Sequence, residues 1–169
     1  MTCIIGIDPG LTRCGFGVIE MGQKPTLLAV GVIKTDTSLE LPERLRQVNQ
    51  ALTSLFETWK PQSVAVERVF AQANVRTVMG TAQVSGLALV AAVNCGASVR
   101  TYTPTEVKAA VTGSGKADKA QVGEMVRRIL NLTEVPKPAD AADALAIAIC
   151  EGWRGSAKDR IEAAVRRSK

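Results

Sequence analysis

Apolar positions along the chain switch between a period of two and a period near 3.6, and the switches predict ten elements in the order βββαβαβααα. Residues 3–8 are apolar on both alternating faces, as a central strand requires. Asp8-Pro9-Gly10 follows as a turn, with proline presetting φ and glycine permitting a left-handed residue. Residues 15–19 and 27–33 predict two more strands, antiparallel neighbours of one another. Leu41, Leu45, Val48, Leu52, Leu55, Phe56 and Trp59 then recur at steps of three and four, a helix that Lys60-Pro61 ends. Residues 63–69 predict a strand, 75–94 a helix containing Gly80 and Gly86, and 98–102 a short strand. Thr103-Pro104 opens a helix ending near Val111, and residues 112–115 form a loop. Asp118 caps a helix whose apolar stripe is Val122, Met125, Val126 and Ile129. After a break at Pro136 and Pro138, the last clear helix runs over 139–150. From Arg154 the tail is charged, and a weak helix and disorder both remain open. This order gives an α/β fold with a five-stranded mixed sheet and helices on both faces.

At 169 residues the chain predicts one domain, with neither repeat nor linker. No apolar run is expected to reach the ~20 residues of a membrane span, and the first strand begins so close to Met1 that no signal peptide is expected. Cys3, Cys14, Cys95 and Cys150 are widely spaced, which fits reduced thiols in a cytoplasmic protein. The absence of histidine changes the picture most. It removes Ser-His-Asp and Cys-His catalysis and histidine-containing zinc sites in one step. A general base must then be a carboxylate, a lysine or a metal-activated water. The formal charge of +5 persists despite clustered acids and is compatible with a polyanionic partner.

Those acids carry the candidate chemistry. Asp8 ends one apolar run, Glu67 interrupts another, and Asp140 and Asp143 open an alanine-rich helix. A buried carboxylate is costly unless it is paired or binds a metal. Each acid has a plainer explanation: Asp8 as a turn residue, Glu67 paired with Arg68, Asp140 and Asp143 as an N-cap and a first-turn acid. Adjacent strand residues point to opposite faces, which weakens the Glu67–Arg68 pairing. Asp140 and Asp143, three apart, share a helical face. Acids drawn from two strand ends and one helix suit a divalent-metal phosphoryl-transfer site, and sites in such sheets form beyond the carboxyl ends of strands.

Ile5-Gly6-Ile7-Asp8-Pro9-Gly10-Leu11-Thr12 with Gly15, Val66-Glu67-Arg68-Val69-Phe70 and Asp140-Ala141-Ala142-Asp143-Ala144-Leu145-Ala146 resemble the RuvC family of Holliday-junction resolvases. The likeness extends through residues 86–92 and Val107-Lys108. It implies an RNase H-like nuclease domain over residues 1–154 with a charged tail over 155–169. By resemblance, Asp8, Glu67, Asp140 and Asp143 are the catalytic acids and hold two Mg²⁺ or Mn²⁺ ions per active site. Some relatives carry histidine at the position of Asp143. The implied reaction is phosphodiester hydrolysis by paired nicks in four-way junction DNA, leaving 5′-phosphates. A branch-migration helicase complex and a thymine-containing cleavage site are likewise implied by the resemblance alone.

Phe70, three residues past Glu67, is either a core aromatic or a wedge against bases, and the resemblance favours the wedge. Lys108 and Lys119 match basic positions at the family's active-site rim, although solvated surface lysines are the plain alternative. Arg76, Lys116, Arg127 and Arg128 extend a candidate phosphate-binding surface. Gly113-Ser114-Gly115-Lys116 fails the nucleotide-loop pattern, because Ala110 and Ala117 stand where glycine and a hydroxyl residue are needed. For the helix over 75–94, Gly80, Ala82, Gly86 and Ala88 with Val78, Met79, Val84 and Leu87 fit either a homodimer interface or packing within one subunit. The resemblance favours the homodimer. Two rivals remain: an actin-like or sugar-kinase ATPase, which needs a second lobe, and a junction-binding module without catalysis, which gains nothing from clustered acids.

Overall fold

The computed structural model describes residues 1–69 and 74–167, with side chains as far as residue 155. The ten elements are β1 (Thr2–Asp8), β2 (Arg13–Met21), β3 (Pro25–Lys34), α1 (Leu41–Trp59), β4 (Ser63–Glu67), α2 (Val75–Asn94), β5 (Ser98–Tyr102), α3 (Pro104–Thr112), α4 (Lys119–Ile129) and α5 (Ala139–Arg167). Their order is the expected one. They build a five-stranded mixed sheet, β3-β2-β1-β4-β5, with β1–β2 and β2–β3 antiparallel and β1–β4 and β4–β5 parallel. The doubly apolar β1 is the central strand. Helices α3, α4 and α5 cover one face and α1 and α2 the other, each closing its own apolar cluster.

Capping is local and legible. Thr103 and Glu106 form a reciprocal capping box at α3, and Asp118 and Gln121 another at α4. Two boundaries differ from expectation. Strand β4 stops at Glu67 instead of Val69, because its partner β5 ends opposite at Tyr102 and Pro104 turns the chain into α3. The last helix continues past Cys150 to Arg167. Its apolar run stops there but no helix-breaking proline follows, so helix outlasts the pattern.

Helix α5 is the centre of the packing. Residues 141, 142 and 144–151 are buried, enclosed by the sheet beneath and α3 and α4 above. Glycines make this seat possible. A Cβ at Gly6 would stand 2.1 Å from the Ala144 carbonyl oxygen, one at Gly15 2.1 Å from the Asp140 carbonyl oxygen, and one at Gly17 2.7 Å from the Leu145 side chain. Two of these obstacles are backbone, which cannot rotate aside. Helix and sheet therefore touch backbone to backbone, closer than any side chain would allow.

Gly6→Ala or Gly15→Ala should lift α5 and cost ~1–3 kcal/mol or more, as overpacking does. Gly22→Ala is the comparison, since the nearest atom to its Cβ lies 3.9 Å away; it should stay within ~0.5 kcal/mol of the parent. Urea unfolding measures both, and equal midpoints for Gly6→Ala and Gly22→Ala would contradict this seating.

Candidate active site

Asp8 and Glu67 are the last residues of neighbouring parallel strands, whose final pair is Ile7 with Val66. Ile4 and Ala65 lie in the apolar cluster under α5. Two-residue alternation then directs Gly6, Asp8 and Glu67 to that same face. Asp140 and Asp143 sit in the first turns of α5, and Gly15, which pairs with Asp8, lies under the Asp140 backbone. Seating α5 in the glycine groove thus brings acids from positions 8, 67, 140 and 143 to one end of the molecule. All four are partly buried.

The crowding is visible in their electrostatics. Burial, followed by the charges of Glu67, Asp143 and Asp140, pushes the Asp8 carboxyl up to about 8, with Lys119 opposing. Glu67 is also raised, first by burial and then by Asp143, with Lys119 and Lys108 opposing. Two cations hold the helix acids: Arg13 Nε donates to Asp140 Oδ2 at 2.7 Å, and Lys119 Nζ to Asp143 Oδ2 at 2.9 Å. The Lys119 ammonium is held protonated above its usual range, chiefly by that hydrogen bond.

The donor chemistry fits Mg²⁺ or Mn²⁺, hard cations that prefer carboxylate oxygen. A divalent ion beside Asp8 and Glu67 would offset the burial and the repulsion that raise their pKa values. Among the described residues, no three acidic or thiol side chains already form a cage. With Asp140 and Asp143 turned toward Arg13 and Lys119, the acids converge without yet sharing a point.

Lys108 and Lys119 both act on Glu67 and so belong to this cluster. Arg76, exposed at the start of α2, lines an adjoining groove with Arg13 and Arg44. Lys116 lies apart, in a groove with Arg128 between α3 and α4. Arg127 and Arg128 both donate to Glu124, and Arg127 also to the Leu132 carbonyl, so helix-internal pairing occupies them. Phe70 lies outside the described residues.

Sequence patterning missed Arg13 and Arg44. Arg44 donates to the Thr35 and Thr12 hydroxyls, and Thr35 donates to the Leu11 carbonyl, bracing the turn that delivers Arg13 to Asp140. The signal was the β1–β2 hairpin itself, which returns Arg13 to the strand ends. The small-residue face of α2 also needs correction as an interface. Gly80, Val84 and Ala88 are buried within the subunit, because they pack toward Leu11 and the sheet. The exposed stripe is instead Val75, Met79, Ala82, Gly86, Val90 and Val93. By length and composition α2 is apolar enough to cross a membrane, contrary to the expectation that no apolar run reaches that length.

The profile of the family described as Crossover junction endodeoxyribonuclease RuvC matches residues 4–151. A protein of that name from Salinispora arenicola is 58% identical over 168 residues, covering 98% of this chain and 96% of the relative. The structure of Thermus thermophilus RuvC in complex with a Holliday junction substrate superposes with a TM-score of 0.87 at 36% identity, covering 92% of this chain and 95% of that one. The yeast mitochondrial Holliday junction resolvase Ydc2 shares the fold, with a TM-score of 0.68 at 14% identity, over 92% of this chain and 80% of its own.

The raised Asp8 pKa has a consequence for stability. Between its ordinary value of 3.8 and the folded value of about 8, the fold holds a proton that the unfolded chain has released. In chelator, stability at this group is therefore present at low pH and lost as pH rises through that window. Asp8→Asn should flatten the fall in melting temperature between about pH 5 and about pH 8 and raise the melting temperature at the upper end. Equal slopes for the parent and Asp8→Asn would contradict the crowding of charge.

Proposed function

The chain belongs to the RuvC family of crossover junction endodeoxyribonucleases, and we propose that it resolves four-way (Holliday) DNA junctions by paired symmetric nicks using two metal ions. It is an endonuclease, a metal-dependent hydrolase with an RNase H-like α/β fold. The observation that carries the proposal is the convergence of Asp8, Glu67, Asp140 and Asp143, with a carboxyl at Asp8 pushed up to about 8 by burial and its acidic neighbours.

In this proposal Asp8 and Glu67, fixed at the ends of hydrogen-bonded strands, are the central ligands, and Asp140 and Asp143 complete the set from α5. The chemistry supplied by bound Mg²⁺ or Mn²⁺ is neutralisation of the scissile phosphate and acidification of the attacking water. Lys119 carries positive charge at the rim and, with Lys108, supports a phosphate drawn toward the acids. Asp140 would hold a metal with the oxygen that Arg13 leaves free, or with both oxygens if that pair opened. Arg76 and Lys116 extend contact to the backbone of the DNA arms, and Phe70 wedges against bases beside the cut. The products carry 5′-phosphate and 3′-hydroxyl ends. Recombination and DNA repair, a cytoplasmic location and cooperation with a branch-migration helicase complex belong to the same proposal. Against an ATPase, the described residues form one five-stranded sheet and no second lobe.

A homodimer places one site on each of two opposed strands of a two-fold junction. The exposed α2 stripe supports this assembly: Val75, Met79, Val90 and Val93 are 76%, 56%, 61% and 64% exposed in the single chain. Their spacing lets a second helix pack alongside, with Ala82 and Gly86 permitting close approach. Met79→Asp with Val90→Asp should leave the fold intact by circular dichroism and shift sedimentation from dimer to monomer. A wild-type chain that sediments as a monomer at micromolar concentration, or a double variant that remains dimeric, would contradict this interface.

The direct test incubates the protein with a synthetic four-way junction in Mg²⁺, Mn²⁺ or chelator. Ligatable nicks at symmetric positions are expected only with metal. Asp8→Asn and Glu67→Gln should each lower cleavage at least ~100-fold while binding stays within ~3-fold, since the charge-stabilising chemistry is lost but the basic surface remains. Near-parental cutting by either variant would overturn the assignment of these ligands.

A further inference from the structure

Away from the acid cluster, α5 also carries a deeply buried carboxylate, Glu151. Glu151 is 3% exposed and accepts three hydrogen bonds from the sheet: from Ser63 Oγ at 2.6 Å, from Arg100 Nη1 at 2.7 Å and from Tyr102 Oη at 2.5 Å. Gly155, one turn on, leaves room for this carboxylate, because a Cβ there would stand 2.6 Å from Glu151 Oε1.

We infer that Glu151 is a positioning residue, which sets where α5 lies along its own axis and so holds Asp143 and Asp140 against Glu67 and Asp8. The inference rests on the proposed metal-dependent nuclease site. Glycine and alanine contacts let α5 approach the sheet, but apolar packing is non-directional and resists sliding weakly. Directional contacts must fix the register. The Arg13–Asp140 and Lys119–Asp143 pairs are partly exposed and engage the site acids themselves. Glu151 is buried, engages none of those acids and bonds to β4, the strand that carries Glu67, and to its neighbour β5.

Two rulers of equal length connect the ends. Asp143, Ile147 and Glu151 recur every four residues on one face of α5, and the eight residues from Asp143 to Glu151 span ~12 Å at 1.5 Å per residue. The four residues from Ser63 to Glu67 span ~13 Å of strand. Joining Glu151 to Ser63 at one end therefore brings Asp143 level with Glu67 at the other, where the Asp143 charge acts on Glu67.

The test compares wild type, Glu151→Gln, Tyr102→Phe and the paired Arg100→Met/Glu151→Leu. The pair removes the buried Glu151 charge together with its partly buried Arg100 partner, so it remains informative if Glu151→Gln does not fold. Each is read at a temperature where circular dichroism shows it folded. Mn²⁺ binding to DNA-free protein is followed by electron paramagnetic resonance of free Mn²⁺, and cleavage is titrated with Mg²⁺. Glu151→Gln and the pair should raise the half-saturating metal concentration ~10-fold or more, because small misplacements of reacting groups are costly. Tyr102→Phe should shift it less, in the same direction. Half-saturation within ~2-fold of wild type in the folded variants overturns the positioning role, however much melting temperature falls. A wild-type chain that neither binds Mn²⁺ nor cuts the junction would instead overturn the proposed function.

Discussion

Everything at the site depends on how closely α5 lies on β1 and β2. Gly6, Gly15 and Gly17 remove the side chains that would separate helix from sheet, and the α5 backbone occupies that space. An alanine-rich helix is the matching surface, since Ala141, Ala144 and Ala148 add little bulk of their own. The contact is geometric before it is chemical. It carries Asp140 and Asp143, distant in sequence, to the ends of β1 and β4, where Asp8 and Glu67 already stand side by side.

That convergence opposes stability and is tolerated because other parts of the fold compensate. Partly buried acids repel, and Asp8 and Glu67 bear the consequence in raised pKa values. Arg13 and Lys119 each hold one helix acid, while the bracing of the Gly10–Arg13 turn by Arg44 and Thr35 keeps Arg13 within reach. Two apolar clusters on opposite faces of the sheet supply the favourable burial that offsets this local strain. Groups that pay such a local cost concentrate at functional sites, and here they lie beside lysines suited to a phosphate.

Local chemistry made much of this legible from the residues alone. The all-apolar β1, the stripe of α1 and the capping residues Thr103 and Asp118 each announce their elements, and all ten elements occur in the expected order. Asp8 and Glu67 stood out because acids are rare in apolar strands. Partners distant in sequence were invisible to periodicity. Arg13 meets Asp140 across 127 positions and Ser63 meets Glu151 across 88, and neither pairing leaves a local mark. On α2, apolar residues occupy both sides, so pattern alone could not say that Gly80, Val84 and Ala88 face inward while Met79 and Val90 face out. The end of α5 stayed open because the apolar pattern ends at Cys150 while no proline follows to break the helix.

The central claim is that seating α5 assembles a divalent-cation site from Asp8, Glu67, Asp140 and Asp143. Crystals grown with Mn²⁺, with diffraction recorded at the manganese absorption edge, test it most directly. The account predicts two anomalous peaks about 4 Å apart, bounded by those carboxylates, with Arg13 withdrawn from or sharing Asp140. Manganese bound elsewhere on the chain, with these four acids left in their ion pairs, would contradict it.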